Sequence, residues 1–170
     1  AAIGEISRKI RNEKPYLVQY MGAIALQKEY IIEMLNGEGK TLTAIMPAIL
    51  NCLSEDNNRK RHIHIISDND YLVKRDAINM GAIYDYLDLR VGVVTKEKSF
   101  VLNKRQNQIS LVQSDKKEAY GCNIIYIEKS ELIYDYLRDN MVLFVEDKKI
   151  KHYDYAIIDE VDSILIDEAG

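Results

Sequence analysis

A chain of 170 residues, 47% hydrophobic and 29% charged with a net charge of -4, is long enough to bury one core and is read as a single domain over residues 1–170. Acids and bases are mixed along it, so no basic face points to nucleic acid, and two cysteines, Cys52 and Cys122, are too few for a disulfide framework or a four-cysteine zinc site. That cysteine usage fits a reducing, cytosol-like setting; the apolar runs fall short of the roughly 20 residues that span a bilayer and no signal-peptide pattern opens the chain, so no membrane insertion is expected.

Ile3, Ile6 and Ile10 repeat at helical spacing and predict a short amphipathic helix on the domain edge. Pro15 suits the first turn of a second helix, in which Val18, Met21, Ile24 and Ala25 share one face. Gln19 lies one turn in, and two readings stand for it: a solvent-facing glutamine, or an amide whose donor and acceptor read a planar base. Residues 30–34 are apolar with a β-branched pair and read as a strand, and helical spacing resumes from Thr41. Between them lies Asn36-Gly37-Glu38-Gly39-Lys40-Thr41, where a phosphate loop would sit. Its glycines let backbone N–H groups turn to an anion, the helix N-terminus adds partial positive charge, Lys40 reaches β- and γ-phosphates, and the Thr41 hydroxyl can ligate Mg²⁺. The strict phosphate-loop pattern asks for glycine at position 34, where this chain has Met34.

The helix predicted over residues 40–53 tolerates Pro47 near its start, and the polar cluster 54–61 ends it as a solvated loop. Ile63, Ile65 and Ile66 predict a strand on which His62 and His64 share one half-exposed face; no third ligand stands nearby, and His152 reads as a loop residue. Residues 70–80 predict a helix capped by Asp68, Asn69 or Asp70, and Val91–Val94 another strand. Such alternation argues for βαβ crossovers and a mostly parallel sheet with helices on both faces, which places ligands at the carboxyl ends of the strands.

Residues 96–114 read as a surface excursion holding a hairpin around 103–108. Then come a strand at 124–127, a helix at 130–141 with Ser130 as cap, a short strand or edge at 143–145, and a Lys-rich solvated turn. The strand Tyr155–Ile158 ends in Asp159-Glu160, which sets two carboxylates at the sheet's carboxyl edge: Asp159 to hold Mg²⁺ through water, Glu160 to orient and deprotonate an attacking water.

Read with their flanks, these motifs resemble the first nucleotide-binding domain of the SecA family, the motor ATPases of protein export. The matching words are Pro15-Tyr16-x-Val18-Gln19, Glu33-Met34-x-x-Gly37-Glu38-Gly39-Lys40-Thr41-Leu42-Thr43-Ala44, Asn69-Asp70-Tyr71-Leu72-x-x-Arg75-Asp76, Asp135-Tyr136-Leu137-Arg138-Asp139-Asn140-Met141 and the stretch from Tyr155 to Ala169. The resemblance implies a RecA-like P-loop NTPase fold, with ATP and Mg²⁺ as ligands. It implies Pro15, Tyr16 and Gln19 at the adenine, Gly37, Glu38, Gly39, Lys40 and Thr41 around the phosphates, Thr41 and Asp159 on the metal, and Glu160 with Lys40 as the catalytic pair. It further implies hydrolysis coupled to moving unfolded preproteins through the Sec translocon channel, peripherally at a membrane, in the cytoplasm or an organellar stroma. The abundance of Ile, Lys, Asn and Tyr fits an AT-rich, plastid-type genome.

Leu35-Asn36 replaces a basic residue and threonine of the family pattern, Ile127-Glu128-Lys129-Ser130 replaces a segment rich in Gly, Thr and Asn, and residues 99–113 read as an insertion. The chain opens at Ala1 and closes where the family continues into its preprotein-binding insertion and second motor domain, so a fragment is expected. The second domain supplies arginines worth on the order of 10³ or more in rate, so the piece alone is expected to bind nucleotide and hydrolyse it poorly. Two other readings stay open: an RNA helicase core of the DEAD class, and a degenerate nucleotide-binding module without turnover. Against the helicase, Val161 replaces the alanine of Asp-Glu-Ala-Asp and Asn69-Asp70-Tyr71-Leu72 replaces that class's nucleic-acid-contacting motif.

Overall fold

The computed structural model describes residues 2–35, 37–54, 59, 61–105 and 108–167. In chain order the elements are α1 (Ala2–Arg11), α2 (Leu17–Gln27), α3 (Lys40–Leu53), β1 (Ile63–Ser67), α4 (Asp70–Tyr86), β2 (Val91–Val94), β3 (Ser99–Arg105), β4 (Gln108–Ser114), α5 (Lys116–Tyr120), β5 (Ile124–Glu128), α6 (Lys129–Asp139) and β6 (Tyr155–Ile158). One six-stranded sheet runs in the order β4-β3-β2-β5-β1-β6. The four strands β2, β5, β1 and β6 are parallel, and β3 and β4 add an antiparallel hairpin at one border.

Near-continuous apolar strands are what a parallel sheet covered on both faces requires. Ile63, Ile65, Val91, Val93, Ile124, Tyr126 and Ile157 pack with α3 and α4 on one face, where the Tyr84 and Tyr126 hydroxyls meet at 2.9 Å. Ile125, Ile127, Val94 and Ile66 pack with Ala119, Tyr120 and Ile150 on the other. Gly92 lets α5 close on β2, because a Cβ there would stand 2.1 Å from the Ala119 carbonyl oxygen.

Several local expectations change. Residues 30–34 run without strand pairing, and the sheet ends at β6. Helix α2 begins at Leu17, leaving Pro15 outside its first turn. The apolar stripe of α2 points outward: Val18, Met21 and Ile24 are exposed while Gln19 and Ala23 are buried. Small residues decide this, because Gly22 and Ala23 let α2 lie close on α3, with Thr43 Cγ2 3.0 Å from where a Gly22 Cβ would be.

The cap of α6 is Glu128, whose Oε2 accepts from the Glu131 N–H at 3.0 Å, and not Ser130. Residues 143–145 form no strand; a 3₁₀ turn at Val145–Asp147 follows, and the five-residue α5 had no forecast. The 99–114 stretch is a true hairpin, yet it is hydrogen-bonded into the sheet through β2 rather than standing off the surface. Its turn at 106–107 lies outside the described residues, as do 55–58 and 60 of the predicted polar loop. Asn69 proves to be the α4 cap, accepting from the Leu72 N–H at 3.0 Å.

The two strand histidines part company. His62 is half-buried beside His152, a loop residue as expected, with ring centroids 4.9 Å apart. His64 is 3% exposed, lies between Tyr120 and Tyr153, and has a buried Nε2 without a hydrogen-bond partner. Burial holds its pKa down at about 4 from 6.5. The unfolded chain therefore takes up a proton below pH 6.5 that the folded chain refuses until about 4, so stability is intact above pH 6.5 and declines as the pH falls towards 4. Urea titrations should show a loss of about 2 kcal/mol between pH 6.5 and 5 through this residue, and His64→Leu should remove that part of the pH dependence.

Candidate functional site

Helix α3 enters through a loop in which Gly37 (φ 88°) and Gly39 (φ 80°) both adopt left-handed backbone, a region glycine visits without the Cβ penalty. Gly39 is the N-cap residue and offers no side-chain acceptor, and the first turn holds no acid. The N–H groups at this helix start are thus left without a side-chain cap and, with the helix dipole behind them, suit an anion. Glu38 folds the loop onto itself: its Oε2 accepts from the Leu35 N–H at 2.8 Å, and its own N–H donates to the Leu35 carbonyl at 3.2 Å. Asn36 lies outside the described residues.

Gln19 is 4% exposed, which overturns its solvent-facing reading. Its Nε2 donates to the Glu38 carbonyl at 2.8 Å and stands 3.4 Å from the Gly39 carbonyl, while its Oε1 accepts from the Tyr16 N–H at 2.8 Å. The amide is a strut between the start of α2 and the glycine loop. Pro15 is buried near Gly4 of α1, and Tyr16 is largely exposed.

A cavity of about 470 Å³ joins the two halves of the predicted site. Lys40 and Thr41 from the start of α3 line it together with Asp159 and Glu160 from the end of β6. Its remaining wall is mostly apolar, with Met34, Ala44, Ile65, Tyr126 and Ile157 among the contributors. Gln19, Pro15, Tyr16, Gly37, Glu38 and Gly39 stand outside this lining.

Parallel pairing of β6 with β1 carries Asp159 to the sheet's edge, where its N–H donates to the Ile66 carbonyl at 2.9 Å. The Asp159 Oδ1 accepts from the Glu160 N–H at 3.0 Å. Burial raises the Asp159 pKa; the Glu160 N–H opposes this, the Asp76 carboxylate adds to it and Lys40 reduces it. A cation would relieve that balance. The Asp159 carboxylate and Thr41 hydroxyl are hard oxygen donors of the kind Mg²⁺ takes, and Mg²⁺ needs only one or two protein ligands beside phosphate and water. Among the described residues no group of three or more His, Cys, Asp or Glu could hold a metal by itself. Glu160 is exposed, lines the cavity and has φ 56°, an uncommon backbone for a non-glycine residue.

Asp76 also lines the cavity, 7% exposed and held by the Arg75 Nε at 2.8 Å, and sequence reasoning gave it no role. The signal was there: Val73, Asp76, Ala77 and Met80 share the inward stripe of α4, so a carboxylate was placed at a core position.

The family described as the SecA DEAD-like domain matches residues 1–170. The chain is 44% identical over 169 residues to the protein translocase subunit SecA of Buchnera aphidicola subsp. Schizaphis graminum, covering 99% of this chain and 17% of that protein. It is also 44% identical to the protein translocase subunit SecA of Clostridium tetani, covering 99% of this chain and 18% of that one. The chain thus spans under a fifth of the length of these curated relatives.

The Gln19 strut makes the two loop glycines unequal. A Cβ at Gly39 would fall 2.1 Å from Gln19 Nε2, whereas one at Gly37 meets nothing within 4 Å. Gly37→Ala should cost only the backbone term, roughly 1–2 kcal/mol, and Gly39→Ala clearly more. In a Gln19→Ala background the excess at position 39 should vanish, a coupling that urea unfolding of the four variants would measure.

Proposed function

The chain belongs to the SecA DEAD-like domain family, and from that membership we propose that it is the ATP-binding part of a protein-translocating motor. The carrying observation is that Lys40, Thr41, Asp159 and Glu160, far apart in sequence, line one cavity. Backbone N–H groups at the glycine loop and the Lys40 ammonium bind the phosphates, whose charge they and the helix dipole neutralise. Thr41 and Asp159 hold Mg²⁺, which when bound offsets the charge that builds up on the transferred phosphoryl oxygens. Glu160, at the cavity wall and open to solvent, orients a water for in-line attack and takes its proton.

Gln19 links this loop to the start of α2, so a base stacked near Tyr16 and Pro15 would be sensed by the phosphate loop through one amide. In the complete protein, hydrolysis at this site drives preproteins through a membrane channel from the cytoplasmic or stromal side. Both curated relatives are translocase subunits, which favours this reading over an RNA helicase. No helix among the described residues is long and apolar enough to cross a membrane.

Calorimetry on the folded chain should show Mg-ATP binding that Lys40→Ala weakens by at least about tenfold, the loss of one charge-assisted phosphate contact. No binding by the folded, unmodified chain would overturn the proposal. In the full-length protein, Glu160→Gln should lower kcat by about 10²-fold or more while leaving Mg-ATP binding intact; a kcat that survives the change would remove Glu160 from the role of base.

A further inference from the structure

Glu160 holds left-handed backbone without being glycine, at a cost of roughly 1–2 kcal/mol that contacts around the turn offset. The turn itself supplies the Asp159 N–H to the Ile66 carbonyl and the Ile164 N–H to the Glu160 carbonyl, at 2.9 and 3.2 Å. Among the described residues, the Asp68 side chain reaches it from beyond. Asp68 follows the last residue of β1, and its Oδ1 accepts from the Lys129 Nζ at 2.5 Å; the Ser163 Oγ stands 3.5 Å from the same oxygen. Lys129 is the first residue of α6, directly after β5, and Ser163 follows the acid pair of β6 by three residues.

One carboxylate oxygen therefore joins the carboxyl ends of three neighbouring parallel strands, β5, β1 and β6. The pair is shielded, with side chains 10% and 26% exposed for Lys129 and Asp68. Lys129 is itself fixed, because Glu128 caps the helix it opens. The hydrogen bond from Lys129 keeps the Asp68 carboxyl below its usual range, so it is ionised at neutral pH.

We propose that Asp68 is a positioning residue for ATP hydrolysis: held by Lys129 and contacting Ser163, it fixes the turn that presents Glu160 to the cavity. This rests on the reading of Glu160 as the base. Misplacement of a reacting group by a fraction of an ångström lowers the chemical step and leaves binding of the phosphates, set by α3, alone.

The test is steady-state ATP hydrolysis by the full-length protein carrying Asp68→Ala, Lys129→Met, both together, Lys129→Arg or Ser163→Ala, with urea unfolding of each. Either Asp68→Ala or Lys129→Met should lower kcat roughly tenfold with KM for Mg-ATP within about twofold. The double variant should be no slower than the worse single, because the two act as one unit. Lys129→Arg should recover most of the rate, and Ser163→Ala, the mildest change, should lose about twofold. Unchanged kcat in the two single variants, losses that multiply in the double, or a raised KM at unchanged kcat would each overturn the proposal. If Lys129→Met fails to fold, Ser163→Ala and Lys129→Arg decide it by the same kcat-against-KM criterion. Hydrolysis by the unmodified protein that is insensitive to these changes would sink the clasp alone. Absence of hydrolysis in the unmodified full-length protein would sink the proposed function with it.

Discussion

The parallel pairing of β1 with β5 on one side and β6 on the other is the constraint on which the rest depends. Parallel strands aligned in register bring all their carboxyl ends to one edge, so Ser67, Glu128 and Asp159 arrive together however far apart they lie in the chain. Helix α3 packs on the same sheet and starts at that edge. The cavity between Lys40 and Asp159 is thus a product of strand direction, and the apolar faces that bury Ile63, Ile65, Ile124 and Ile157 hold it in place.

The central strands, α3 and α4 were legible because each is a long or uniformly apolar segment bounded by polar residues and caps. The acid pair was legible because it ends an apolar strand. What escaped was anything decided by a partner distant in sequence. Residues 30–34 have strand composition, but composition cannot supply a neighbouring strand to pair with. The α2 stripe has helical spacing, but Gly22 and Ala23 allow closer contact with α3 than the larger side chains, so the large ones turn outward. Glu128 took the capping role from Ser130 because the helix begins at Lys129, ahead of the residue the sequence pattern offers as cap.

Buried polar chemistry was the least legible part. The word 135–141 was visible as a motif, yet its Asp135 turns out to be fully buried and to accept from Lys116, Lys149 and Tyr120 at 2.9 Å each. Burial alone would raise its pKa, but these donors hold the carboxyl below its usual range, which welds α5, α6 and the segment before β6 into one block. At the opposite edge of the sheet from the acid pair, Asp154 is held well below the carboxylate range by Arg59 and also accepts from the His62 N–H, tying the start of β1 to that of β6. The start of β6 and the segment before it are therefore fastened by carboxylates to which the sequence reading gave no buried role.

Why such fastening is needed follows from where β6 sits. It borders the sheet, so its backbone is hydrogen-bonded to a strand on one side only, and Ala156 and Ile158 are exposed. A rim strand frays more readily than an interior one, and its amides exchange with solvent hydrogen through small openings that leave the core intact. The strand that carries the two acids is thus among the most easily loosened of the four parallel strands, whereas the glycine loop opposite rides on a helix packed against the core. An opening that starts at this rim would widen the gap between phosphate loop and acids from the acid side.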